Sequence, residues 1–178
     1  MKKALWPILL FFLVVTVGSS QMDQLLIYGN GWMFNVKEPK GWRCYTEDAY
    51  RYHMNAYFCL GKKNINNSPA TMNIEVLRKG GKTLQERLAI DMEDYKKQSK
   101  SLEFLDFLVD GIKYESISKI YIINDKTTDY VCFLDPSKDS PWYLVFVLHG
   151  PKEESPKYEK DFLALIRSFS WLGGTVTR

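Results

Sequence analysis

Residues Gly31–Trp42 read GWMFNVKEPKGW. Two Gly-Trp pairs frame a short apolar segment that runs into Glu38-Pro39-Lys40-Gly41. Trp32, Phe34 and Val36 recur at period 2, the pattern of a strand with one buried face. Pro39 presets its own φ and Gly41 permits a positive one, so the segment before Trp42 predicts a turn. Trp42 is then placed to fold back onto the strand. Each glycine lets the backbone bend where a bulky ring must enter the core.

Working outward, the same strand-and-turn pattern continues. Ala56–Leu60 (AYFCL) reads as a short strand, and Thr71–Arg78 (TMNIEVLR) as a longer one with Met72, Ile74 and Val76 alternating against polar neighbours. Residues 45–55 are polar and aromatic without a clean period, and predict a loop or a short helical turn. Thr83-Leu-Gln-Glu86 is a capping box, and Leu84, Leu88, Met92 and Tyr95 follow it as one helical stripe. Strands are then expected at 104–109, 113–123, 129–134 and 142–149, with turns at Asp110-Gly111 and Asn124-Asp125-Lys126. The last of these, WYLVFVLH, is almost continuously apolar, which predicts a central strand covered on both faces. A final helix is expected from Ser155-Pro156, with Ser155 as cap and Pro156 in the first turn. Strands, one helix, more strands and a closing helix predict an α+β domain: an antiparallel β-sheet flanked by helices in an α/β/α sandwich.

Met1-Lys2-Lys3, the uncharged run Ala4–Val17 and Gly18-Ser19-Ser20 have the anatomy of a secretory signal peptide over residues 1–20. The alternative is an uncleaved membrane anchor, for which the run is short. The expectation is an exported protein, periplasmic or extracellular, with residues 21–178 as a single domain. The formal charge of +3 includes Lys2 and Lys3, so the remainder is close to neutral. Such a chain has no charge excess to drive binding to a nucleic-acid backbone.

Cys44, Cys59 and Cys132 make an odd count for an oxidising compartment. The favoured pairing is a Cys44–Cys59 bridge over a short loop, and the alternative is three buried, reduced thiols. Cys132, in the strand-like run YVCFL, reads as core.

Trp32 and Phe34, then Pro39-Lys40-Gly41-Trp42, resemble the "F…yP.gW" opening of the PsbP-like superfamily. The helix at 83–99, the meander to 149 and the closing Phe162…Ser168-Phe169-Ser170-Trp171 are similar to it as well. The resemblance spans residues 28–172. It implies an antiparallel sheet sandwiched by helices and a family made up mostly of binding proteins without a shared active site. The matching positions are fold positions, so no functional residue is carried across.

The sequence shows no nucleophile elbow, no P-loop, no dinucleotide glycine fingerprint and no Cys-x-x-Cys. His53 and His149 match no metal-ligand spacing, and no cofactor is implied. The expectation is a protein that is not an enzyme. Tyr45, Tyr50, Tyr52, Arg43, Arg51 and His53 gather in one polar stretch, and Tyr and Arg are enriched at interface hot spots. They are the candidate partner-binding residues, with a cell-envelope protein as the expected partner. The competing expectation is a small-molecule or lipid carrier with an apolar pocket between the sheet and the helix at 83–99.

Overall fold

The computed structural model describes residues 24–174; the expected signal peptide lies outside them. Strand β1 (Gln24–Gly29) pairs antiparallel with β2 (Trp32–Lys37). β3 (Trp42–Tyr45), β4 (Ala56–Leu60) and β5 (Thr71–Arg78) form a first meander. Helix α1 (Leu84–Gln98) carries the chain over the sheet. β6 (Leu102–Asp106), β7 (Glu115–Ile123), β8 (Thr127–Asp135) and β9 (Trp142–Pro151) form a second meander. A 3-10 turn at Ser155–Tyr158 leads into α2 (Glu159–Ser168), and β10 (Ser170–Gly173) closes the described chain.

The strands make two antiparallel sheets, a small one ordered β1-β2-β10 and a seven-stranded one ordered β3-β4-β5-β9-β8-β7-β6. β9 is thus the middle strand, as its apolar run predicts. Leu144, Phe146 and Leu148 face one side, and Tyr143, Val145 and Val147 the other. Burying each such side chain stabilises the fold by about 1.5–3 kcal/mol. α2 and the small sheet cover the first side, where Phe34, Phe146, Phe162 and Phe169 belong to one continuous core. α1 covers part of the second side through Leu84 and Leu88, with Met92 and Tyr95 half-buried. The architecture is α+β, an antiparallel sheet between helices.

Several local expectations hold. Thr83 Oγ1 accepts from the Glu86 amide and the Glu86 carboxylate accepts from the Thr83 amide, completing the capping box. Asn124 and Asp125 both take positive φ in the three-residue turn Asn124–Lys126 between β7 and β8, where the Lys126 amide donates to the Ile123 carbonyl at 3.1 Å. The Trp42 amide donates to the Pro39 carbonyl at 3.0 Å, with Gly41 at φ +87°.

Three expectations need correcting. The turn at 38–41 does not fold Trp42 back beside β2; it passes the chain from the small sheet to the large one. Trp42 instead plugs the shared core, its Nε1 donating to Asp161 of α2 at 3.0 Å. Ser155 is not a helix cap: its hydroxyl donates to the Pro151 carbonyl, and α2 begins only at Glu159. The Cys44–Cys59 bridge is absent, and all three thiols are free. Cys44 stands opposite Phe58 and Cys59 opposite Arg43, so the pleat sends the two sulfurs to opposite faces of the sheet.

Candidate functional site

The expected partner-binding stretch folds as a 3-10 turn at Ala49–Tyr52 between β3 and β4. Fully buried Ala49 anchors it, and His53 ends it at φ +60°, a region that residues other than glycine rarely adopt. Tyr45 stacks on Tyr57 with ring centroids 5.1 Å apart, and Tyr52 meets the same ring edge-on at 5.9 Å. Tyr45 also donates its hydroxyl to the Lys63 carbonyl, so that ring is occupied in holding the loop at 61–70. What remains at the surface is the tip: Tyr50 is 68% exposed and Tyr52 39%, with Arg51 and His53 exposed beside them. Arg51 donates to the Tyr50 hydroxyl and pairs with Asp48 at 3.3 Å. The structure therefore brings together Tyr50, Arg51, Tyr52 and His53 on a base made by Tyr45 and Tyr57. Arg43 stands apart, in a separate depression with Glu38 and Lys62.

The apolar pocket expected between the sheet and α1 is filled. Leu84 and Leu88 of α1 join Tyr121, Val131, Phe133 and Val145 of the sheet in a closed cluster. Past the C-terminal half of α1 the same sheet face opens into a groove of 640 Å³. Its floor is Asn73 and Glu75 of β5, Val147 and His149 of β9, and Asp129 of β8; Met54, Ile65, Pro69 and Tyr95 form its sides. Asp129 and His149 are directly opposite across the β8–β9 pair, where side chains on one face meet. The Asp129 carboxylate accepts from Tyr95 Oη at 2.6 Å and joins His149 Nδ1 at 2.6 Å. That bond holds the His149 pKa above the usual histidine value. Tyr121 Oη donates to Asp91 of α1 at 2.7 Å. Burial pushes both Asp91 and Glu75 up; the Asp91 charge raises Glu75 further, and Asp129 and Asp94 raise Asp91.

Sequence reasoning reached the tip through its aromatic content. It placed His149 at a strand end and left Asn73, Glu75 and Asp129 unassigned. Their one legible signal is a polar residue inside an apolar strand pattern.

Nucleophilic chemistry finds little to work with. Burial and Glu38 push the Cys44 thiol up to about 12, and burial alone takes Cys132 to about 12 and Cys59 to about 11. A thiol so far above neutrality supplies almost no thiolate. Asp129–His149 has the form of a base and its orienting carboxylate, yet among the described residues no hydroxyl is hydrogen-bonded to the His149 ring.

The sequence matches no protein-family model and no curated protein. Among solved structures, the chain is similar to the solution structure of cyanobacterial PsbP (CyanoP) from Synechocystis sp. PCC 6803, at 14% identity and a TM-score of 0.47, over 89% of this chain and 98% of that one. The α+β architecture rests on the strands and helices themselves.

Proposed function

We propose that this chain is an exported, non-enzymatic binding module that docks on a protein of the cell envelope through the Tyr50–His53 tip. The observation that carries the reading is the tip itself. Two tyrosines and an arginine stand in solvent on a rigid base, at the outer end of a turn whose backbone is fixed by buried Ala49. Rings held in place before binding lose little conformational freedom on docking, which is what makes Tyr and Arg effective anchors. Export rests on the leader at residues 1–20. Among the described residues no helix is long and apolar enough to cross a membrane.

The test is photo-crosslinking from position 50 in the native envelope, set against Tyr50→Ala and Arg51→Ala proteins captured through a distal tag. One reproducible protein partner, lost with either substitution while the melting temperature holds, supports the reading. Undiminished capture by both variants would remove the tip from it.

The carrier reading moves with the structure. Among the described residues, Leu84 and Leu88 fill the space under α1, so the polar groove beside it is the better place for a small molecule.

A further inference from the structure

We infer that the groove between α1 and the loop at 61–70 is a binding site for an organic cation, a guanidinium or ammonium group on a short apolar stem. The first observation is Asn73. It is 7% exposed, lines the groove, and its Oδ1 has no hydrogen-bond partner. An orphaned buried acceptor destabilises a protein by about 1–3 kcal/mol, so its presence calls for a donor from outside the chain. The second is Glu75, two residues along β5 and therefore on the same face. Its carboxylate is half-buried and makes no ion pair or side-chain hydrogen bond among the described residues. The third is the ordering of the far side. Asp129 is already satisfied by Tyr95 and His149, which fixes His149 at the groove with its second ring nitrogen unengaged.

The groove thus offers acceptors: the Glu75 carboxylate, in the neutral ring His149 Nε2, and, with its amide turned toward the groove, the Asn73 carbonyl oxygen. A ligand that satisfies several acceptors at once needs several N–H groups, and one that stabilises a buried carboxylate needs positive charge. Met54, Ile65, Pro69 and Val147 give the site apolar walls for a stem of a few methylenes. The protein's own cations do not fill this role. Arg87 on α1 and His53 at the tip are near enough to Glu75 to favour its charged form, and Arg87 to Asp91, but among the described residues neither forms an ion pair with these carboxylates. Lys126 stands exposed at the mouth.

The same head group could arrive on a free small molecule or on an arginine or lysine side chain of a partner protein. The test is titration of the full described chain, 24–174 with its flanks, by NMR and calorimetry. The probes are agmatine, butylammonium, the blocked tripeptide acetyl-Gly-Arg-Gly-amide, and butanol and inorganic phosphate as controls. Saturable binding of the cations, with shifts centred on Asn73, Val147 and His149, is expected, and neither control should compete. Asn73→Val and Glu75→Gln are each expected to weaken it about tenfold or more. Asn73→Val keeps or raises the melting temperature, so its loss of binding cannot be a loss of fold. A tripeptide at least about tenfold tighter than agmatine assigns the site to a partner's side chain, and the reverse order assigns it to a small molecule. No saturable cation binding, binding undiminished in both variants, or preferential binding of phosphate would overturn the inference. Tyr50→Ala should leave cation affinity unchanged, so this site and the docking tip fail separately.

Discussion

On one face of the seven-stranded sheet, Phe58, Met72, Phe146 and Leu148 lie in a dry core roofed by α2 and the small sheet. On the other, α1 seals only the β7–β9 side, and Asn73, Glu75, Asp129 and His149 occupy what it leaves uncovered. Both faces belong to the same strands. Residue by residue, β5 and β9 alternate between a side that is apolar up to Arg78 at the end of β5 and a side that carries Asn73, Glu75 and His149. The first side supplies stability. The second gives some of it up to hold polar groups in a partly desolvated place, and that is where ligand chemistry becomes possible.

Several substitutions would break or sharpen this contrast. The largest effect belongs to the dry face. Phe146→Ala removes a fully buried ring that meets Phe169 edge-on at 5.8 Å, and should cost about 3–5 kcal/mol in urea denaturation. Asp129→Ala strips the partners from Tyr95 Oη and His149 Nδ1 on the groove face, and should cost about 1–3 kcal/mol by the same measurement. Asn73→Val goes the other way. It deletes the orphaned acceptor and should stabilise the chain by about 1 kcal/mol; a clear loss of stability would show that Asn73 belongs to the fold rather than to the groove.

The groove also sets a pH dependence. Glu75 and Asp91 are raised by burial and His149 by its bond to Asp129, so all three hold protons more tightly in the folded chain than in the unfolded one. The stability they contribute is complete below the unfolded pKa values, roughly 4 for the carboxylates and 6.5 for histidine, and is lost as pH rises through the higher folded values. The melting temperature should therefore decline from mildly acidic to neutral and alkaline pH, and His149→Gln should flatten the upper part of that decline. Exposed Asp106 and Asp125 are lowered by Lys119 and Lys152 and oppose the trend, but salt screens such surface pairs. The smallest change is expected at the tip, where Tyr50→Ala should alter stability by no more than about 0.5 kcal/mol while altering capture.

What was legible in the sequence follows from how local each signal is. The capping box at Thr83–Glu86, the turn at Asn124-Asp125-Lys126 and the continuous apolar run of β9 are each decided by neighbours along the chain, and each appears where expected. β1 is not legible because exposed Leu26 and Tyr28 blur its alternation, and β10 because Ser168–Trp171 reads as the end of a helix. The transfer at Trp42 was missed because nothing in GWMFNVKEPKGW tells a hairpin from a change of sheet. The groove is the least local feature of all. Asn73 reads as the solvent-facing half of an alternating strand, and becomes buried only because strand and loop neighbours distant in sequence close around it.

The small sheet also bears on when the molecule can be finished. β2, at the start of the described chain, takes one partner from β1 beside it and the other from β10, where Asn35 faces Ser170. Synthesis delivers a chain from one end, so β2 must wait with an open edge until everything between has emerged. During that interval an incomplete chain exposes the underside of Phe34 and the seat of Phe169, the surfaces that attract holdase chaperones and misfolded neighbours alike. Arrival of β10 closes that edge, and a truncation just before Ser170 should leave a chain more prone to aggregate although nearly all of its strands are present.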